Sequence, residues 1–360
     1  MKLSNFTEGR DNNFSLIRIV AAFAVLITHS FALAIGTGRA EPFQKLLGMT
    51  MGTIAVDVFF ITSGFLVSSS LLTRQSVIEF VWARVLRIYP ALLVMLGLTV
   101  FGLGLFFTTS PLSIYLTDIN IYRYLLKCGT LITGVAFNLP GVFEGNPYKN
   151  AVNGSLWTMP YEIRMYALLA VAWVVLGITK GYRLTLFKIT IVTGFIVCGI
   201  LIVVSHFYFP TVFARFFFMF FSGASFYVLR DHVRLRHSIF WLFVLVLILS
   251  ALINAHVFLV VYVLTVAYIL FYIAYIPSGY IRKYNLVGDY SYGIYIFAFP
   301  VQQSVAALIP GVSVLTMLLI SAPVTLLLAI LSWHILERRA LGLKKLYVGQ
   351  TRRIFSYGVK

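Results

Sequence analysis

Ten stretches of about 20 mostly apolar residues, parted by short polar joints, organise this chain. They run near 14–35, 50–72, 89–107, 155–177, 185–205, 211–229, 238–254, 256–276, 288–309 and 312–336. At about 1.5 Å per residue, a helix of this length crosses a hydrocarbon layer of about 30 Å. The pattern therefore predicts an all-α, polytopic transmembrane helix bundle of about ten helices. The seventh and eighth stretches are divided only by Asn254, Ala255 and His256, which requires a tight turn. One polar interruption is long, at 108–154. It holds a short amphipathic stretch at 122–131 and a Pro/Gly-rich part at 139–147, and loops of this length usually carry function. No repeat or second domain is visible. The expected organisation is one integral-membrane domain over 1–340 and a short basic cytoplasmic tail over 341–360.

Composition supports this reading. The chain has 360 residues, of which 60% are hydrophobic and 11% charged, against about 25% charged in soluble domains. The formal charge of +17 does not indicate nucleic acid, because the basic residues fall in short joints. If both termini are cytoplasmic, 20 of the 28 Lys and Arg lie on the cytoplasmic side and 5 on the other. That is the bias that sets membrane orientation. Lys2 and Arg10 ahead of the first apolar run, and Ala32-Leu33-Ala34 at its end, resemble a signal peptide. The run is longer than a signal core, and cleavage would discard Arg18 and His29, so a retained first span is expected. Cys128 and Cys198 have neither metal-ligand spacing nor an evident pairing, and no metal is expected.

The remaining charges lie inside apolar segments, where each needs a partner, a cavity or a task. Arg18 and His29 are eleven residues apart on the first helix. Steps of 100° bring them nearly to one face, about 16 Å apart along the axis. His29 is either bonded to a neighbouring helix or poised to move protons near neutral pH. Asp57, at similar depth in the second span, is suited to fix the tautomer of such a histidine. Arg84 and Arg87, at i and i+3, project to one side of the cytoplasmic mouth of the third span. They either set topology or grip a polyphosphate with two guanidinium forks. Span four opens with Asn153, Ser155, Trp157, Pro160, Glu162 and Arg164. Glu162 and Arg164 do not face one another on a helix, so each should pair elsewhere or line a cavity. Arg215 enters the sixth span at comparable depth, where snorkelling and function are both open.

Taken together, these blocks resemble the acyltransferase-3 family of membrane acyltransferases. The resemblance rests on Arg18 with His29, Val56-Asp57-Val58-Phe59-Phe60-Ile61-Thr62-Ser63-Gly64-Phe65, the 84–90 stretch, Ser155-Leu156-Trp157-Thr158 followed by Glu162, and Gly288-Asp289-Tyr290-Ser291-Tyr292-Gly293-Ile294-Tyr295. It covers nearly the whole chain. It implies ten core helices and transfer of an acyl group, usually acetyl, from cytoplasmic acyl-CoA to a hydroxyl of a surface glycan. It also implies that His29 is essential, that Arg18 assists it and that Arg84 and Arg87 contact the coenzyme. One departure is visible: Ala298 stands near the place where many members carry a histidine, with Gln302 and Gln303 following.

The expected protein is thus an O-acyltransferase, with acetyl-CoA the expected donor, in the cytoplasmic (inner) membrane of a bacterium. Its partners would be membrane lipid and a glycan or lipid-linked saccharide such as O-antigen or exopolysaccharide. His29 would serve as general base, oriented by Asp57 or Glu162, or would itself carry the acyl group. Arg164, Asn153 and Ser155 are candidate oxyanion donors, and Trp157 a further acceptor contact. The rival reading is a transporter or flippase for a lipid-linked sugar, since intramembrane charges also couple ions.

Overall fold

The structure, a computed structural model, describes residues 1–9, 11–205 and 211–357. Arg10 and Lys360, counted above among the cytoplasmic basic residues, lie outside the described residues, as does the side chain of Lys180. Among the described residues the chain is helical and has no extended strand.

A helix forms at each of the ten expected places. They are α1 (Phe14–Ile35), α2 (Met51–Arg74), α3 (Val77–Gly97), α5 (Met159–Val175), α6 (Arg183–Val204), α7 (Val212–Val228), α8 (His237–Ile253), α9 (Ala255–Tyr275), α10 (Ser291–Leu308) and α11 (Val314–Ser332). Two more are α4 (Ile119–Thr130), in the long loop, and α12 (Lys344–Tyr357), near the C-terminus. Among the described residues, seven helical stretches are long and apolar enough to cross a membrane. α7 and α8 have 17 residues each, about 25 Å of rise and so shorter than the hydrocarbon core. The tight turn between α8 and α9 is Asn254, whose extended backbone breaks the helix and whose side chain caps α9 by accepting from the Val257 N–H.

The third span departs from expectation at its start. α3 begins at Val77, where Ser76 caps it by accepting from the Glu79 N–H, and runs through Pro90 without a break. Arg84 and Arg87 therefore sit within the helix and not at its mouth. The helix continues through a π-helical run, Leu98–Gly104, to Phe107. There the Val100 carbonyl accepts from the Tyr115 hydroxyl at 3.0 Å.

The described residues group into two compact units, each assembled from separate stretches of chain. The first contains 1–21, 42–75 and 165–289. Its centre is the α2–α7 crossing. A Cβ on Gly64 would collide with the Phe220 carbonyl, and one on Gly223 with the Ile61 carbonyl, so only glycines allow this approach. Phe65 anchors the adjoining aromatic core, within 4.6 to 6.1 Å of the rings of Phe14, Tyr227, Phe271 and Tyr275.

The second unit contains 22–41, 76–164 and 290–357. α10 and α11 pack closely, with Gly293 against Ala329. α12 folds back on α3: Tyr347 stacks on Trp82 at 4.6 Å, the Trp82 indole donates to Thr351, and Arg352 and Lys344 flank Glu79. The long loop is built, with α4 burying Ile121, Tyr124 and Cys128 on one side. Cys128 donates to the Ala136 carbonyl at 3.2 Å, and burial pushes its thiol up to about 11.

Candidate active site

The second unit brings His29 together with the 146–155 segment around one side chain, Phe299 of α10. The Phe299 ring meets His29 edge-on at 5.1 Å and Tyr148 at 6.1 Å, and it lies against Gly154 so tightly that a Cβ there would overlap it. These contacts come from one row of α10. Tyr295, Phe299 and Gln302 recur at helical spacing and so share a face.

Gln302 is fully buried and grips the turn of α1 that carries His29. Its amide donates to the Leu26 carbonyl at 2.8 Å and to the Ser30 hydroxyl at 2.6 Å. Gln303, also fully buried, grips the loop: its amide donates to the carbonyls of Tyr148 and Ala151, at 2.9 and 2.6 Å. Asn146 completes that clamp by donating to the Gln303 side chain and carbonyl, at 2.6 and 2.9 Å. The position where the resemblance implies a histidine is Ala298, buried.

His29 itself is half-buried. Its Nδ1 is buried and has no hydrogen-bond partner among the described residues. No carboxylate of the second unit bonds that nitrogen among the described residues. A buried, unpaired ring nitrogen costs free energy.

Asn153 spans two elements. Its amide donates to the Ile296 carbonyl at 2.9 Å, and its carbonyl caps the Gly154–Thr158 turn by accepting from the Ser155 N–H at 3.1 Å. Ser155 Oγ is buried without a hydrogen-bond partner among the described residues. Thr158 and Tyr295 share a buried hydroxyl pair at 2.5 Å. Trp157 is partly exposed and edge-on to Tyr161 at 6.1 Å. Glu162 is half-buried in the first turn of α5, and Arg164 is exposed with its guanidinium 5.4 Å over Tyr161.

On α3, Arg84 is half-buried, while Arg87 donates at 2.7 Å to Glu337, which is fully buried. The other Glu337 oxygen accepts from Ser332 at 3.0 Å. The rings of Tyr292 and Trp333 flank the Arg87 guanidinium at 5.7 and 5.5 Å. The carboxylate is aimed inward by a π-helical turn, Trp333–Glu337.

In the first unit, Arg18 donates to Asp289 at 2.6 Å, so the first-span arginine and the 288–295 block meet directly. Asp57 is fully buried, with both oxygens held by Arg215 at 2.9 and 2.6 Å and a further bond from the Tyr262 hydroxyl at 3.0 Å. Arg215 is thus a bidentate partner and not a snorkelling cation.

Sequence reasoning missed Tyr262, Gln302 and Gln303 as partners, along with Glu337. Only Glu337 had a signal to offer, as an acidic residue directly after the last apolar span. No group of three or more His, Cys, Asp or Glu placed to hold a metal occurs among the described residues.

Comparison with known proteins gives concordant results. A family described as "Acyltransferase domain" matches residues 11–334. The chain is 30% identical over 351 residues to the O-acetyl transferase of Shigella phage Sf6, covering 92% of this chain and 96% of that one. It is also 30% identical over 173 residues to nodulation protein 10 of Rhizobium leguminosarum bv. viciae, covering 45% and 44% of the two chains. No solved structure matches.

Proposed function

As the chain belongs to the acyltransferase-3 family and is a membrane acyltransferase, we propose that it is an O-acetyltransferase acting on a hydroxyl of a surface or lipid-linked glycan. In this reading the donor is cytoplasmic acetyl-CoA and the setting is the cytoplasmic membrane of a bacterium. In the same reading ten helices span the membrane, with both termini on the cytoplasmic side. The phage relative named an O-acetyl transferase supports the transferred group.

The observation that carries the mechanism is the buried, unpartnered Nδ1 of His29 on a turn immobilised by Gln302. The acceptor hydroxyl supplies the missing partner. The imidazole takes the hydroxyl proton as the oxygen attacks the thioester carbonyl. The C–O bond forms, the C–S bond breaks, and the proton passes to the departing thiolate, giving an O-acetyl ester and free coenzyme A. Such proton transfer contributes about 10²–10⁴-fold. Ser155 Oγ, buried and unpartnered, is the candidate donor to the developing oxyanion, with Asn153 holding its turn in place. Arg84 and Arg87 are the proposed phosphate contacts of the donor, with Arg87 shared between donor and Glu337. Glu162 and Arg164 are proposed to support the site, while Arg18 and Asp57 are held in ion pairs of their own in the first unit.

The test is acetyl transfer from radiolabelled acetyl-CoA to glycan by purified protein in nanodiscs, with His29→Ala alongside. Wild-type transfer and a loss of at least 100-fold in a variant made at normal membrane level are expected. Glycan movement across vesicles without acetylation would favour the flippase reading instead. Full transfer by His29→Ala would remove the imidazole from the mechanism.

A further inference from the structure

The 144–150 segment is an exposed loop in which Glu144, Gly145, Pro147, Tyr148, Lys149 and Asn150 all face outward, and Asn150 adopts a left-handed backbone. A loop of this composition is ordinarily mobile. Here it is fastened from below. Gln303 holds the carbonyls of Tyr148 and Ala151, and Asn146 holds Gln303. Gly36, just past the end of α1, lies against the Pro147 carbonyl so closely that no side chain fits there. Two buried amide side chains are committed to fixing the backbone on either side of one residue, Tyr148.

The Tyr148 side chain is itself left open. It is 38% exposed, and its hydroxyl has no hydrogen bond among the described residues. The ring meets Phe299 edge-to-face at 6.1 Å, and Phe299 in turn meets His29 at 5.1 Å. A rigidly mounted, exposed aromatic ring with a spare hydroxyl, one phenyl ring away from the unpaired imidazole, suits a ligand that is apolar on one face and hydroxylated at its rim. A pyranose ring has that chemistry.

We propose that Tyr148 is the acceptor platform: its ring stacks on the C–H face of a pyranose, and the Gln303–Asn146 clamp holds that ring in register with His29. This rests on the acyltransferase reading above and adds to it a residue that positions the sugar. Phe299 touches both platform and base, so in this arrangement the hydroxyl that reaches His29 is one that projects past the edge of the stacked ring.

The experiment uses the full chain in nanodiscs, with Tyr148→Ala, Tyr148→Phe and Tyr148→Trp. The probes are a panel of gluco-, galacto- and 6-deoxyhexose oligosaccharides. Binding is read by saturation-transfer NMR, which needs no turnover, and transfer is read as KM and kcat for acceptor and donor separately. In Tyr148→Ala, acceptor KM should rise about tenfold, equivalent to ~1.4 kcal/mol. Saturation transfer to the sugar C–H protons should fall in parallel, with donor KM unchanged and kcat within about twofold. Tyr148→Trp should restore binding and Tyr148→Phe should retain most of it. Unchanged sugar binding in Tyr148→Ala, or a change in donor KM alone, would overturn the proposal. So would loss tracking lipid composition and not oligosaccharide, because Tyr148 would then be an interfacial anchor. Wild-type protein that binds sugars through Tyr148 yet transfers no acetyl would instead sink the acyltransferase reading and leave the platform standing.

Discussion

Arg87 and Glu337 form a 2.7 Å ion pair in which the carboxylate is fully buried and the guanidinium nearly so. A residue read from sequence as a phosphate hook thus already has an anionic partner inside the protein. Removing one member of a buried pair strands the other charge and costs about 3–5 kcal/mol. Arg87→Ala should therefore lower thermal stability in detergent as well as donor affinity. Arg87→Ala combined with Glu337→Gln should recover most of the stability, because no charge is left unpaired, while acetyl-CoA binding by calorimetry stays weak. Recovery of donor affinity in the double variant would confine Arg87 to a structural role.

Gln302 predicts a different signature. Its two bonds run to the backbone and hydroxyl on either side of His29 in the chain, at 2.8 and 2.6 Å, so in the proposed mechanism it positions the base and does not touch substrate. Gln302→Leu should lower kcat by about 10- to 100-fold, since sub-ångström misplacement of a reacting group has that scale of effect. KM for donor and acceptor should change less than about threefold. A rise in either KM without a fall in kcat would show that Gln302 binds substrate instead.

The Asp57–Arg215–Tyr262 cluster should be energetically coupled. Tyr262→Phe removes one hydrogen bond to a carboxylate, about 1.5–3 kcal/mol. Asp57→Ala leaves Arg215 without its bidentate partner and should cost more. A double-mutant cycle on Asp57 and Arg215 should return a coupling of about 3 kcal/mol or above. Additive losses would mean that the pair does not hold the first unit together.

Sidedness is testable by thiol labelling against a quiet background, because Cys128 and Cys198 are both buried. The Cys128 thiol is in addition pushed up to about 11 by burial, and a protonated thiol reacts poorly with maleimides. Asn120→Cys, on the exposed side of α4, should label in intact cells. Ser278→Cys, in the exposed joint after α9, should label only after permeabilisation. The reverse pattern would invert the proposed orientation.

Helix positions were legible because ten apolar runs have few other ways to satisfy their backbone groups in lipid. The start of α3 was not, because the basic 84–87 stretch and Pro90 look like a boundary, whereas Ser76 caps the helix more than three turns before the expected start at 89. His29 stood out as a titratable group in an apolar run. Its support did not, because Gln302 and Gln303 carry no charge and nothing in their spacing names Ser30 or Tyr148 as partners. Glu337 is aimed at Arg87 by a π-helical turn, and a one-residue shift in helical register leaves no trace in a hydrophobic pattern. Asp57 stood out in the sequence as a charge inside an apolar run. Which partner it took depended on how closely α2 and α7 approach.

That approach constrains how the enzyme can work over a turnover. Gly64 and Gly223 press each helix against a carbonyl of the other, leaving no slack for sliding, and the Arg215 fork locks the same two helices a few turns away. α2 and α7 are in effect a riveted plate. The opening and closing that admit an acyl donor and release a product must fall on helices outside that plate, and a crosslink between α2 and α7 should leave the catalytic cycle running.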